Sequence, residues 1–72
     1  MSPVYTPELT DREKEVLQQV ALLYNNEQVA LTLFTSANTV KTHLQNIYAK
    51  LGVSGPTARG DAVRLAWKKN II

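Results

Sequence analysis

Polar side chains that can hydrogen-bond to the edges of DNA bases recur at helical spacing between residues 38 and 45. Lysine, threonine, asparagine and glutamine can all donate to or accept from base edges in a major groove. Four such residues share one helix face: Asn38, Lys41, Thr42 and Gln45. No aspartate or glutamate occurs from residue 36 to residue 52, so no carboxylate there would repel phosphates. The pattern favours a DNA-reading helix, with a protein-binding polar helix as the alternative.

A second strip of polar residues borders this face and could reach a phosphate backbone. Its members are Thr39, His43, Asn46 and Lys50. His43 is the single histidine, and no second ligand stands at metal-binding spacing beside it. We therefore expect His43 to pack or to face phosphate, and we expect no metal site.

The reading face needs a helix that is held by an apolar stripe on its other side. Val40, Leu44, Ile47 and Leu51 form that stripe, Ser36 can cap the helix start, and Gly52 can end it. Capping patterns at Thr10 and Asn25 predict the starts of two earlier helices. The patterns predict an all-α fold with helices near 11–22, 26–33, 37–51 and 58–69. The predicted core comprises Val16, Leu17, Val20, Val29, Ala30, Leu33, Val40, Leu44, Ile47 and Leu51. The second helix is also expected to bury Phe34.

Composition narrows the class of protein. The 72 residues contain no cysteine, which excludes disulfide scaffolds and zinc fingers. Residues 1–36 carry two cations against five carboxylates, net −3, while residues 37–72 carry six against one, net +5. The second half therefore suits a polyanionic partner. No apolar run could span a membrane, and no nucleophile–base set or phosphate-cradling loop supports an enzyme or a small-molecule cofactor.

The amino-terminal residues have the composition of a linker, with Pro3 and Pro7 among small polar residues. We expect a linker over residues 1–8 and a folded domain over residues 9–72. A linker before so small a domain suggests tethering to a larger protein.

Three segments together closely resemble the LuxR-type (GerE-like) helix-turn-helix family: residues 9–17, 26–30 and 36–53. The most specific match is Thr-Val-Lys-Thr-His-Leu at 39–44 with Lys-Leu-Gly-Val at 50–53. The resemblance implies a wingless four-helix output domain of a cytoplasmic transcription factor. Such domains normally follow a sensory or receiver domain and bind double-stranded DNA as dimers. It also implies base-facing roles for Lys41, Thr42 and Gln45, and phosphate-side or helix-anchoring roles for Asn26, Ser36, Thr39, Asn46 and Lys50.

The fourth helix is the expected dimer contact, through Val63 and Trp67. A core position for Trp67 remains equally open at this point. Two other functions also remain open: a protein-docking module of similar fold, and a sigma-type promoter reader acting with RNA polymerase.

Three positions depart from the family pattern. Leu23 stands where a glycine is usual, so a left-handed turn there would strain its backbone. Asn38 also replaces a common glycine and could add a contact. The loop over residues 54–58 is about three residues longer than usual, which affects how the fourth helix approaches the others.

Overall fold

The computed structural model describes residues 8–72, which form four helices and no strand. They are α1 (Asp11–Ala21), α2 (Asn26–Thr32), α3 (Ala37–Leu51) and α4 (Ala58–Lys68). The predicted all-α class and the four helices are confirmed. The predicted ends of α1, α2 and α4 fall one residue later, on the C-cap residues Leu22, Leu33 and Lys69.

Side-chain caps fix where the first three helices begin. The Thr10 hydroxyl accepts from the Glu13 amide at 3.1 Å, and the Glu13 carboxylate accepts from the Thr10 amide at 2.9 Å. Asn25 and Gln28 form the same reciprocal pair, with both bonds at 2.8 Å. Ser36 accepts from the Thr39 amide at 3.1 Å. Each cap satisfies amides that have no partner within the helix.

The core lies where α3 meets the other three helices. Val16, Leu17, Val29, Val40 and Ile47 are fully enclosed, as predicted. Leu33 and Leu51 pack against this core but are only half-buried. The sequence patterns missed Leu9 and the three alanines of α4 (Ala58, Ala62 and Ala66), whose small side chains let that helix approach closely.

The prediction that Phe34 is buried is wrong. Its side chain is 95% exposed. The reason is the backbone: α2 has ended, and Phe34 adopts a left-handed φ of 56° that turns the chain into α3. Leu33 contacts the core in its place.

Two further turns use left-handed residues. Leu23 has φ 68° between α1 and α2, so the strained turn expected there is present. Gly52 has φ 73° after α3, and the Val53 amide donates to the Tyr48 carbonyl at 3.0 Å. This pattern closes α3 in the way its glycine predicts.

The long loop before α4 contains a local turn. Gly55 has φ 82°, and the Ala58 amide donates to its carbonyl oxygen at 3.1 Å. The Thr57 side chain does not cap an amide of α4, but its hydroxyl donates to Asp61 Oδ2 in the first turn at 2.8 Å. No helix in the described part of the chain is long and apolar enough to cross a membrane.

Candidate nucleic-acid interface

The outer face of α3 presents the polar stripe that the sequence predicts. Asn38, Lys41, Thr42 and Gln45 are all exposed, while Val40, Leu44 and Ile47 on the opposite side are buried. α3 has 15 residues and rises about 1.5 Å per residue, which gives it enough length to lie along a groove. The structure therefore brings the four predicted base-facing residues together on one accessible surface.

The hydroxyl group of Thr42 donates a hydrogen bond within α3. Its Oγ1 donates to the Asn38 carbonyl oxygen at 3.1 Å. Toward solvent, Thr42 therefore offers oxygen lone pairs and a methyl group. A hydroxyl in this state can accept from a base amino group, and its methyl can pack against thymine.

The start of α3 is a cluster of hydrogen-bonding groups. The Ser36 hydroxyl donates to Thr39 Oγ1 at 2.9 Å, so the Thr39 hydroxyl keeps its own proton to donate. The first amides of the helix and its positive dipole end lie at the same place. Ser36 is thus a cap, and Thr39 stands on the side that the sequence assigns to phosphate.

Asn26, at the start of α2, is tied to α4. Its Oδ1 accepts from Arg59 Nη1 at 2.8 Å, and Arg59 Nη2 donates to the Tyr24 carbonyl at 2.7 Å. The oxygen of the Asn26 amide is therefore occupied, which leaves its NH₂ group as the available donor. Asn26 therefore makes an anchoring bond of the kind that its family position implies, while its contact with phosphate stays a prediction.

Lys50 lies apart from the rest of its predicted strip. Its Nζ donates to Glu13 Oε1 at 2.7 Å and to the Glu8 carbonyl at 3.1 Å. Its side chain is only 25% exposed, whereas Asn46 is exposed and His43 is half-buried. The fixed ammonium group of Lys50 points toward α1, so its predicted contact with phosphate requires breaking this ion pair.

The Glu13 carboxylate is a buried charge that is paired with the Lys50 ammonium group. Burial alone would raise its pKa, but the Lys50 ammonium and the Thr10 amide outweigh burial and lower it. Glu13 is therefore ionised at neutral pH. Sequence patterns identify Glu13 as a capping residue but give no sign of its ion pair, which spans 37 positions.

Arg12 is another cation whose contact between helices the sequence analysis missed. Its Nη2 donates to the Leu33 carbonyl at 2.6 Å, at the end of α2. Its Nη1 pairs with Glu15 Oε1 at 3.1 Å. Arg12, Lys50 and Arg59 thus hold helices together, and Lys41 is the exposed cation of α3.

Val63 and Trp67 occupy a separate surface, on α4. Trp67 is 60% exposed, so it is not a core residue. Val63 is half-buried and lines an open groove of about 720 Å³ together with Leu23 and Tyr24. Within residues 8–72, no group of acidic residues and histidine could hold a metal ion.

Comparison with known proteins places this arrangement in a family. The family described as "Bacterial regulatory proteins, luxR family" matches residues 7–66, which is most of the chain. The chain belongs to the LuxR family. It is a DNA-binding domain of that family of regulators, and the family is not one of enzymes.

Two curated relatives of this LuxR-family domain are 47% identical to it over 49 residues. They are a probable csgAB operon transcriptional regulatory protein of Salmonella typhimurium and the CsgBAC operon transcriptional regulatory protein of Escherichia coli. The match covers 68% of this chain but only 23% of each relative. The fold is similar to a crystal structure of the response regulator ChrA of a heme-sensing two-component system, with a TM-score of 0.83 and 42% identity. That match covers 92% of this chain and 31% of ChrA.

Proposed function

We propose that this LuxR-family domain binds a specific sequence of double-stranded DNA, with α3 in the major groove and α2 across the backbone. The observation that carries the proposal is the exposed stripe of α3. It combines three neutral hydrogen-bonding side chains and one lysine on a helix without a carboxylate. A helix fixed by its buried side on three neighbours can hold such a stripe against base edges.

The side chains of the stripe differ in the bases that they suit. Lys41 can donate to guanine O6 and N7, and Gln45 can form a paired contact with adenine N6 and N7. Thr42 suits a thymine methyl or a base amino group, because its hydroxyl proton is bound to the Asn38 carbonyl. Asn38, one turn before Thr42, extends the stripe by a further donor and acceptor.

Phosphates would be held mostly by neutral donors. The Thr39 hydroxyl, the Asn26 NH₂ group, Asn46 and His43 border the reading stripe, and Ser36 fixes the start of α3. Because Lys41 is the exposed cation of α3, we expect a shallow dependence of affinity on salt compared with lysine-rich DNA-binding domains.

Two copies would bind adjacent half-sites through α4. Val63 and the exposed Trp67 supply an apolar patch on a helix that does not read bases. The relatives are about four times longer than the matched segment, so an upstream regulatory domain, as in a response regulator, is part of the proposal. Such a regulator acts in the bacterial cytoplasm, where the DNA lies, and it acts by binding.

The test is selection of duplexes from a random DNA pool, followed by binding measurements over a salt series. Gln45→Ala should cost about 1–3 kcal/mol on the selected duplex and relax its preference at one position. Lys41→Ala should do the same and also lower the slope of log affinity against log salt by about 0.9 where it meets a phosphate. Gln18→Ala, the same change on the exposed face of α1, is the control.

Failure of the parent chain to enrich any sequence would contradict specific reading. Enrichment that survives Gln45→Ala unchanged, while Gln18→Ala abolishes it, would move the reading surface away from α3.

A further inference from the structure

The last turn of α3 is joined to the first turn of α1 by one side chain. Lys50 Nζ lies 2.7 Å from Glu13 Oε1 and 3.1 Å from the Glu8 carbonyl oxygen. Three quarters of the Lys50 side chain is covered, and the Glu13 side chain is only 5% exposed. The junction is therefore partly buried, and it is better shielded from solvent than an ordinary surface ion pair.

Glu13 cannot easily release Lys50. The same Oε1 atom accepts from the Thr10 amide at 2.9 Å, which fixes the carboxylate at the start of α1. If Lys50 turned toward a DNA phosphate, Glu13 would remain as a buried charge without its cation. Leaving one member of a buried pair alone is strongly unfavourable, so the internal pair competes well against phosphate.

Arg12, the residue beside Glu13, contacts the end of α2. Arg12 Nη2 donates to the Leu33 carbonyl, where α2 ends. Two consecutive residues of α1 therefore hold the C-terminal ends of α2 and α3. Lys50 also reaches the Glu8 carbonyl, so the chain that leads into the domain meets the end of the reading helix directly.

We propose that Lys50 is a positioning residue for DNA reading, which sets the angle of α3 by tying its last turn to Glu13 and Glu8. It is not a phosphate contact. This inference rests on the proposed function for its effect on DNA, and it replaces the phosphate role that the sequence assigns to Lys50.

The experiment compares Lys50→Met, Glu13→Gln and the double variant in the whole chain. Lys50→Arg tests rescue, because an arginine keeps the charge and the donors. Lys69→Met is the matched control, since it removes the same charge from an exposed position beyond α4. Binding is measured for the selected duplex and for a scrambled duplex of equal length, at a temperature where circular dichroism shows every variant folded.

As a positioning residue, Lys50 affects the selected duplex more than the scrambled one. Lys50→Met and Glu13→Gln should each weaken binding of the selected duplex about 3- to 30-fold. The double variant should lose no more than either single variant, Lys50→Arg should recover most of the loss, and the salt slope should stay at the value for Lys69→Met.

A phosphate contact gives the opposite pattern and would overturn the proposal. Lys50→Met would then weaken both duplexes alike and lower the salt slope by about 0.9 more than Lys69→Met does. Glu13→Gln, which frees the ammonium group, would strengthen binding instead of weakening it.

A second measurement without DNA keeps this inference separate from the proposed function. Amide hydrogen exchange in the last turn of α3 should accelerate equally in Lys50→Met and Glu13→Gln and stay unchanged in Lys69→Met. Unchanged exchange in Lys50→Met would show that the Lys50–Glu13 pair does not restrain the last turn of α3. If exchange responds but the parent chain prefers no DNA sequence, the tie stands and the proposed function fails, together with the role of Lys50 in reading.

Discussion

The guanidinium of Arg59, in the first turn of α4, donates to the carbonyl oxygen of Tyr24 at 2.7 Å. The same guanidinium donates through its other nitrogen to Asn26, so one planar group spans the turn that leads into α2. The turn contains the strained residue Leu23, and backbone hydrogen bonds from Leu23 and Tyr24 to α1 also restrain it. Through Arg59, α4 therefore restrains the turn before α2, in addition to packing against the core.

Arg59→Lys should destabilise the domain although it keeps the charge. A lysine cannot supply two diverging donors in a fixed plane, so one of the two acceptors loses its partner. We expect a loss of about 1–3 kcal/mol in the free energy of unfolding, measured by urea denaturation. Arg64→Lys is the control in the same helix, because Arg64 pairs with Asp61 in an exposed position. Equal effects of the two changes would show that the Tyr24 and Asn26 bonds contribute little.

Leu23→Gly should stabilise the domain. Leu23 has φ 68° and a 91% exposed side chain, so the change relieves backbone strain and removes little packing. We expect a gain of about 0.5–1 kcal/mol, visible as a higher Tm. Gly52→Ala reverses the change at another left-handed turn with no neighbour within 4 Å of the added carbon, and it should lose about the same amount. A lower Tm for Leu23→Gly would mean that this leucine makes a stabilising contact.

The Glu13–Lys50 pair should make stability fall in acid. The pKa of Glu13 in the folded chain lies below its ordinary value of 4.5, chiefly because Lys50 and Thr10 counteract burial. A lowered pKa contributes stability that is fully present above pH 4.5 and is lost as pH falls through the folded-state pKa. Glu13→Gln should remove this contribution, and the variant should approach the parent in stability as pH falls below 4.5 and through the folded-state pKa of Glu13.

Urea denaturation at a series of pH values from neutral to acid measures this effect. Glu27→Gln, at an exposed position in the first turn of α2, is the control and should follow the parent at each pH. A Glu13→Gln variant whose deficit is constant with pH would show that the charge of Glu13 does not matter.

Trp67→Ala should weaken cooperative binding to DNA more than binding of one copy. Trp67 is 60% exposed and lies one turn after Val63, away from the reading stripe. A matched pair of duplexes, with two half-sites or with one, separates the two effects in a binding titration. Val63→Asp should act in the same direction, since it places a charge on the proposed contact. Cooperativity that survives both changes in folded variants would move the interface away from α4.

Local patterns were sufficient for the helices and the reading stripe. The caps at Thr10, Asn25 and Ser36 act within three residues, and the stripe of α3 repeats at helical spacing, so both are visible in the sequence. The ties of Arg12, Lys50 and Arg59 join residues 21 to 42 positions apart and leave no local signal. Lys50 therefore looked like a surface cation, although its partners lie in α1.

Phe34 illustrates another limit of pattern reading. An apolar residue at the end of a helical run is expected to continue the buried face. Whether it does so depends on where the backbone adopts a left-handed conformation. Here that conformation occurs at Phe34 itself. The alanines of α4 were missed for a different reason. Their spacing of four residues places them on one helix face, but small side chains do not show whether a neighbouring helix covers that face.

The internal use of Arg12, Lys50 and Arg59 also affects how this domain would search for its site. A chain whose net charge is only +2 attracts DNA weakly from a distance, and its Arg12, Lys50 and Arg59 side chains are bonded within the fold instead of facing phosphates. Its encounters with random sequence should be brief, because few counterions are released at each contact. Unspecific DNA would then compete only weakly for this domain, and under the proposed function its residence time at a correct site would depend on base contacts and on the proposed second copy beside it.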